Sequence, residues 1–335
     1  STAAPRSRLF CEPGRGAEGV VKATAKAHPN IALVKYWGKR DERLILPHQS
    51  SLSITLGPLS IVTTVEFHGA SGDDDVVLND RPAVGTERDR VVSTLNDVRS
   101  AASAKLKRRV GRATVVSSGD FPAAAGLASS AAAFAALSVA ARSAAGFERN
   151  VRDESILARM GSGSACRSIE GGFVRWNRGR KKDGSDSYGE QLFDENHWPQ
   201  LRLLVGMVSR EEKEVKSRDG MRTTVKTSPY YPAWVKDAER ECKEIVSPIR
   251  RRDIERVGDI CERNAWRMHA TAFAANPPLS YFKPETLAVI DECQRARKAG
   301  IGVWFTLDAG PNPVLLTTEG DARRATELLL GAGAV

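Results

Sequence analysis

Several features that would settle a function early are scarce in this chain. Its 335 residues include five cysteines, at 11, 166, 242, 261 and 293, and five histidines. The cysteines are odd in number, scattered, and form no CxxC pair. That argues against a disulfide frame or a cysteine zinc site and for reduced thiols in a cytosolic protein. The dispersed histidines argue against a histidine-based metal cluster. No apolar run approaches the ~18–20 residues needed to cross a membrane, so no membrane partner is expected. The net charge is +9, with a pI near 9.4. Such a balance suits either nucleic acid or an anionic small substrate. Yet the basic runs, such as "KLKRRVGR" (105–112) and "RGRKK" (178–182), are spread along the chain. No RRM, zinc-finger or aromatic-interleaved pattern accompanies them. They read as solvated surface, and no nucleic-acid partner is expected.

What is present is a chain long enough for a large core and two domains. Charged residues make up 27 % and hydrophobic ones 41 %, ordinary values for a soluble globular protein. Residues 1–20 read as a disordered tail, without an apolar segment for secretion. "SSLSITL" and "SIVTTVEFH" alternate as strands around a Gly-Pro turn, the pattern of an antiparallel pair. "ERDRVVSTLNDVRSAASAKL" reads as an amphipathic helix and "LRLLVGMVS" as a buried strand. Residues 232–300 are mostly helical in pattern. "GVWFTLDAGPNPVLLTT" reads as two strands around a tight turn, with a last helix near 321–331. Strands and helices mix without a βαβ rhythm, so the expected class is α+β with antiparallel pairing. The boundary between domains is expected near 185–200.

The chemistry-bearing stretches share one theme, phosphate. "FPAAAGLASSAAAFAAL" (121–137) carries almost no side-chain bulk. Pro122 and Gly126 keep its first part a loop. Ser129 and Ser130 then fall at a helix opening, where unpartnered N–H groups and the dipole favour an anion. Close helix packing is the plain alternative for the alanines. "NIALVKYWGK" (30–39) offers Asn30, Lys35, Tyr36 and Lys39, or else an element edge with surface lysines. "GSGSACRS" (161–168) supplies hydroxyls, glycines and Arg167, whose planar fork suits phosphate or carboxylate; a simple cap by Ser164 would also explain it. "KSRDGMRTTVKTS" (216–228) holds Ser217 and Arg218, and reads otherwise as a mobile surface loop. "TLDAGPNP" (306–313) places Asp308 at the end of an apolar strand, where a turn aspartate is the plainer reading.

Taken together and in this order, "NIALVKYWGKRDE", "FPAAAGLASSAA", "GSGSACRSIEGGFVRW", "DGMRTTVKTSP", "MHATAFAANPPLSY" and "FTLDAGPNP" resemble the GHMP kinase superfamily. Within it they resemble the mevalonate 5-diphosphate decarboxylases, over roughly residues 21–331. The resemblance implies a two-domain GHMP-kinase fold. Residues 21–195 would form a domain of the ribosomal protein S5 domain 2 type with the ATP phosphate loop. Residues 196–335 would form a ferredoxin-like domain carrying the catalytic aspartate. It implies ATP and Mg2+ as cofactors, a cytoplasmic location and a homodimer. In that family ATP phosphorylates the tertiary 3-hydroxyl, the new phosphate leaves, CO2 departs, and isopentenyl diphosphate forms.

The family pattern then assigns roles residue by residue. Asp308 would orient or deprotonate the 3-hydroxyl. Lys35 would offset charge at the transferring phosphoryl group. Arg167 would hold the substrate carboxylate, and Asn30 would support Arg167 or the substrate by hydrogen bonding. Tyr36, Lys39, Ser162, Gly163, Ser164, Ser217 and Arg218, together with Arg90 in the amphipathic helix, would bind the diphosphate end. Ala124, Ala125, Gly126, Leu127, Ala128, Ser129 and Ser130 would wrap the ATP phosphates, Ser129 and Ser130 also contacting Mg2+. One departure stands out: "LPHQSS" (46–51) has His48 and Gln49 where the family often has an asparagine nearby. The opening "KATAKAHP" also resembles relatives acting on the monophosphate. Mevalonate 5-phosphate is therefore the alternative substrate, with isopentenyl phosphate as its product.

Overall fold

The computed structural model describes residues 11–15, 21–69, 71–121, 129–211 and 214–334. Among these, four sheets and nine α-helices are found. The α+β expectation holds: every strand pairing is antiparallel except Ala113–Gly119 with Asp75–Leu78. A six-stranded sheet runs in the order Cys11–Arg15, Val21–Ala27, Ile61–Phe67, Ala113–Gly119, Asp75–Leu78, Arg81–Pro82. Cys11–Arg15, expected within a tail, is thus an edge strand, paired with Val21–Ala27. The remaining tail residues lie outside the described ones.

Helix α2 (Ser129–Ala144) lies on this sheet, and α1 (Gly85–Ala101) and α3 (Val151–Gly161) pack against α2. Val65, Val115, Leu95, Val98, Phe134 and Leu137 meet there in one core cluster. The alanines of α2 are nearly all buried, because the helix lies against both the sheet and α3. Small side chains allow that approach on several sides at once. The packing and phosphate readings of the alanine run are therefore compatible. One concerns the body of the helix, the other its start.

A second sheet of four strands has the order Gly189–Phe193, Phe173–Trp176, Ser51–Thr55, Asn30–Val34. This corrects one expectation. Ser51–Thr55 and Ile61–Phe67 are strands, but they belong to different sheets and do not pair with each other. Two crossings between the sheets, at 28–29 and 56–60, are tied together instead. Leu56 N–H donates to the Pro29 carbonyl at 2.9 Å, and His28 Nδ1 lies 2.6 Å from the Leu59 carbonyl oxygen. The Gly-Pro step serves a change of sheet rather than a hairpin.

The C-terminal part contributes a three-stranded sheet, Leu201–Val205, Val314–Thr318, Val303–Thr306 in that order. Leu201–Val205 is half-buried along its length, rather than the buried strand expected. Helices α4 (Ser217–Thr227), α5 (Tyr231–Glu244), α6 (Val246–Arg251), α7 (Ile254–Phe273), α8 (Pro284–Lys298) and α9 (Ala322–Gly331) complete it. The 216–228 stretch, with a mobile loop as its plainer reading, is thus helix α4. α7 is the long central element. Asp253 caps it by accepting from Arg256 N–H at 3.1 Å. Its buried Val257, Ile260, Cys261, Ala265 and Met268 recur at helical spacing. Leu33, Val34, Leu52 and Phe173 of the four-stranded sheet share a core with Ile245, Ile249, Val257, Ile260 and Trp304. The strand that ends in Asn30–Val34 is thereby pressed against α7, and that contact positions the site.

Candidate active site

The segment after Asn30–Val34 carries the "KYWGK" block. Lys35 is almost fully buried, and two acceptors hold its ammonium. Nζ donates to Asp308 Oδ1 at 2.5 Å and to the Ala32 carbonyl at 2.8 Å. Burial lowers the Lys35 pKa, and the neighbouring Asp308 carboxylate opposes that shift. The Asp308 side chain is 34 % exposed while that of Lys35 is 1 % exposed, so the carboxylate is the member that faces the opening. Thr306 Oγ donates to the same Ala32 carbonyl at 3.0 Å. The strand leading to Asp308 is thus cross-braced to the strand leading to Lys35.

Arg167 lies in the short 3-10 helix Gly163–Ser168 and is buried. Its Nε and Nη2 donate to Asn30 Oδ1 at 3.3 and 3.2 Å, and Nη1 donates to Ser51 Oγ at 2.6 Å. Asn30 Nδ2 donates in turn to Ser168 Oγ at 2.7 Å and to the Ser164 carbonyl at 3.2 Å. Of the two roles expected for Asn30, the geometry shows the support of Arg167. Burial lowers the Arg167 pKa, offset by Cys166 and then Asp308. A guanidinium has five N–H groups, so this cradle leaves some of them for a ligand. Asn30–Arg167 and Lys35–Asp308 are two bonded pairs, and the Asp308 charge acts on Arg167.

The remaining residues sit close by with different partners. The Tyr36 ring packs against Trp176 with centroids 4.6 Å apart and the rings tilted by 57°, and its buried hydroxyl has no hydrogen-bond partner. Burial raises its pKa strongly. Gly163 is required beneath it, because a Cβ there would press 2.8 Å from the Tyr36 ring and 3.1 Å from Trp176. Lys39 Nζ donates to Glu42 at 2.6 Å. Ser162 Oγ lies 3.2 Å from Ser130 Oγ, joining the start of α2 to the GSGSACRS stretch. Ser164 contributes its carbonyl to Asn30. Ser217 and Arg218 open helix α4. Arg218 Nη2 donates to the Gly161 carbonyl at 3.1 Å, which Arg90 Nη2 also reaches, at 2.7 Å. Arg90 stacks on Phe134 at 4.5 Å. Burial, then the Arg218 charge, brings its pKa down to about 10. The last carbonyl of α3 thus collects two arginines, as a negative dipole end favours.

Ser129 and Ser130 line a cleft of about 180 Å³ with Arg90, Ile61, Thr63 and Leu78. A mainly apolar pocket leading to a helix N-terminus suits a base joined to phosphates. The loop residues Ala124, Ala125, Gly126, Leu127 and Ala128 lie outside the described residues. The two serines offer oxygen donors only. That fits a hard cation such as Mg2+, which takes most of its ligands from phosphate and water.

Several positions that shape the site were not among the site residues read from the sequence. Lys35 N–H donates to Asn264 Oδ1 at 2.7 Å. His269 Nε2 lies 3.2 Å from the Leu307 carbonyl oxygen, one residue before Asp308. Ser51 holds Arg167. Tyr231 OH donates to the Trp37 carbonyl at 3.2 Å and sits against Gly38, whose φ of +95° and missing Cβ let the hydroxyl approach. His48 Nδ1 is 2.7 Å from the Tyr231 hydroxyl, and Gln49 Nε2 donates to the Trp37 carbonyl at 3.4 Å. The unusual His48-Gln49 pair therefore braces the backbone of the KYWGK block.

Comparison with known proteins gives a consistent picture. Residues 27–189 match a family model described as a diphosphomevalonate decarboxylase-like N-terminal domain. Residues 203–332 match the mevalonate 5-diphosphate decarboxylase C-terminal domain. The human diphosphomevalonate decarboxylase is 39 % identical over 311 residues, covering 88 % of this chain and 76 % of its own. The crystal structure of mevalonate diphosphate decarboxylase from Staphylococcus aureus superposes with a TM-score of 0.87 at 36 % identity, covering 94 % of this chain and 93 % of that one. A structure described as "MDDEF in complex with MVAPP, AMPPCP and Magnesium" gives 0.85 at 40 % identity, with 93 % of both chains covered.

Proposed function

We propose, from the premise that the chain belongs to the diphosphomevalonate decarboxylase family, that its cleft carries out ATP-dependent decarboxylation of mevalonate 5-diphosphate to isopentenyl diphosphate. The observation that carries the reading is the Lys35–Asp308 contact across the cleft, at 2.5 Å, next to Arg167 in its Asn30 cradle. Asp308 takes or directs the proton of the tertiary 3-hydroxyl as its oxygen attacks the γ-phosphorus of ATP. Positioning matters as much as proton removal here, since a tertiary alcohol is a poor acid. Lys35, dry and held on two sides, places a fixed positive charge beside the transferring group. ADP then leaves. Arg167 orients the substrate carboxylate. The bond from that carboxylate to C2 breaks, its electrons form the new C=C bond, and the 3-phosphate departs as inorganic phosphate. Each turnover yields ADP, phosphate, CO2 and isopentenyl diphosphate.

Tyr36, Lys39, Ser162, Gly163, Ser164, Ser217, Arg218 and Arg90 serve the diphosphate end in this reading. The pocket at the start of α2 takes the nucleotide, and Ala124–Ser130 its phosphates. Ser129 and Ser130 would hold Mg2+, which neutralises phosphate charge. We place the domain boundary at 195/196, between Gly189–Phe193 of one sheet and Leu201–Val205 of the next, and expect a cytoplasmic homodimer. No described helix is long and apolar enough to cross a membrane.

The test is parallel ADP and CO2 release with ATP and Mg2+, offering mevalonate 5-diphosphate, mevalonate 5-phosphate and mevalonate separately. Equal ADP and CO2 from the diphosphate is the expected result. The same from the monophosphate alone would replace the substrate. ADP without CO2 would overturn the decarboxylase reading.

A further inference from the structure

Beneath the KYWGK block lies a polar chain that the mechanism above does not use. Asn264 of α7 accepts from Lys35 N–H at 2.7 Å. Its Nδ2 donates to Glu241 Oε2 of α5 at 2.7 Å. Glu241 is completely buried. Its other oxygen, Oε1, accepts from Arg263 Nε at 2.7 Å and from Arg267 Nη1 at 2.6 Å. Both arginines are about one-third exposed and have further acidic partners. Arg263 reaches Glu244 at 3.3 Å and Arg267 reaches Asp237 at 3.1 Å. The chain therefore begins at the surface of the C-terminal part and ends on the backbone of the buried lysine.

The order of donors in this chain is forced. A carboxylate accepts only, so the Asn264 amide must turn its NH2 toward Glu241. Its oxygen is then left for Lys35 N–H. With its backbone N–H fixed there and Nζ fixed on Ala32 and Asp308, Lys35 is anchored at both ends. A surface helix face does not need a fully buried glutamate, and breaking such a network leaves an uncompensated charge.

We infer that Asn264 and Glu241 are positioning residues for catalysis: through Asn264 they fix the Lys35 backbone, so that the ammonium meets Asp308 and the transferring phosphoryl group in register. The inference rests on the decarboxylase reading of the site. Neither residue touches substrate. Misplacing a catalytic group by about 1 Å can cost on the order of 100-fold in rate.

The test exploits the forced donor order. In Asn264→Asp two carboxylates face each other, and in Glu241→Gln one amide–amide or amide–guanidinium contact is mispaired. The double variant Asn264→Asp/Glu241→Gln restores every donor to an acceptor with the same net charge. Each single variant is expected to lose on the order of 100-fold in kcat, with KM for ATP nearly unchanged. The double variant is expected to recover most of that loss. Folded single variants with wild-type kcat would overturn the inference, as would a double variant no better than the worse single one. If the buried variants fail to fold, Arg263→Gln/Arg267→Gln loosens Glu241 from the exposed end. It is expected to lower kcat severalfold without raising KM for ATP, and an unchanged kcat would overturn the inference. Wild-type protein run alongside separates the two levels: wild type inactive on mevalonate 5-diphosphate defeats the parent reading, and active wild type with unimpaired variants defeats only this one.

Discussion

At one end of the cleft stand two bonded pairs, Lys35 with Asp308 and Arg167 with Asn30. At the other, Lys39 rests on Glu42 and Arg218 on the carbonyl of Gly161. In the first set Asn30, Lys35 and Arg167 are buried, Asp308 is one-third exposed, and each pair joins residues more than 100 apart in sequence. The second leans on partners that a diphosphate can replace. Glu42 is half exposed, the Tyr36 hydroxyl is orphaned, and a backbone carbonyl is a poorer partner for a guanidinium than a phosphate oxygen. The contrast suggests a division of labour. The reacting end is built before substrate arrives, so little reorganisation is left for the transition state. The diphosphate end exchanges internal contacts for substrate contacts, and that remote binding supports the chemistry.

The comparison can be broken most sharply at Asp308. Asp308→Asn keeps the shape but removes the carboxylate. Turnover is expected to fall about 1,000-fold or more, with nucleotide binding retained in a titration. A loss below about tenfold would remove Asp308 from the chemistry. Arg167→Gln comes next. It should lower kcat and weaken substrate binding together, by on the order of 100-fold in kcat/KM; a change confined to ATP affinity would misplace the arginine.

His269 tests the frame rather than the groups it carries. Burial pushes its pKa down to about 4, so it is neutral in the folded protein at neutral pH. A group with a depressed folded pKa leaves stability intact above its unfolded value, ~6.5. It removes stability as pH falls from there toward 4, because the unfolded chain binds the proton first. The protein should therefore lose up to about 3 kcal/mol between pH 6.5 and 4 through this one residue. His269→Gln should flatten that part of a denaturation-versus-pH curve; an unchanged slope would contradict it. The smallest effect is expected at the loosest contact. Glu42→Gln frees Lys39 for the diphosphate and should lower KM for that substrate by less than about fivefold at low salt, leaving kcat unchanged. A raised KM would make Glu42 a partner rather than a competitor.

The local part of this arrangement was readable from the chain. Helix α7, the alanine helix and the strand before Asp308 follow from spacing, and the motif blocks named the residues that meet in the cleft. What spacing does not encode is pairing. Ser51–Thr55 and Ile61–Phe67 alternate like a hairpin, yet they part into two sheets because Leu56 bonds back to Pro29. Asn264 and Glu241 looked like ordinary helix residues, since their partners lie in other elements far along the chain. Ser51 was hidden in a plain strand pattern for the same reason. Arg90, read as a diphosphate ligand, is tied in this structure to the Gly161 carbonyl and the Phe134 ring. The phosphate loop Ala124–Ala128, the clearest motif in the sequence, lies outside the described residues.

The most direct test of the contrast between the two ends is a crystal structure with mevalonate 5-diphosphate bound. The expected result is that Lys35 stays on Asp308 and Arg167 stays on Asn30, while Lys39 leaves Glu42 and Arg218 leaves the Gly161 carbonyl for the diphosphate. The opposite pattern, with Arg167 displaced from Asn30 and Lys39 still paired to Glu42, would contradict it.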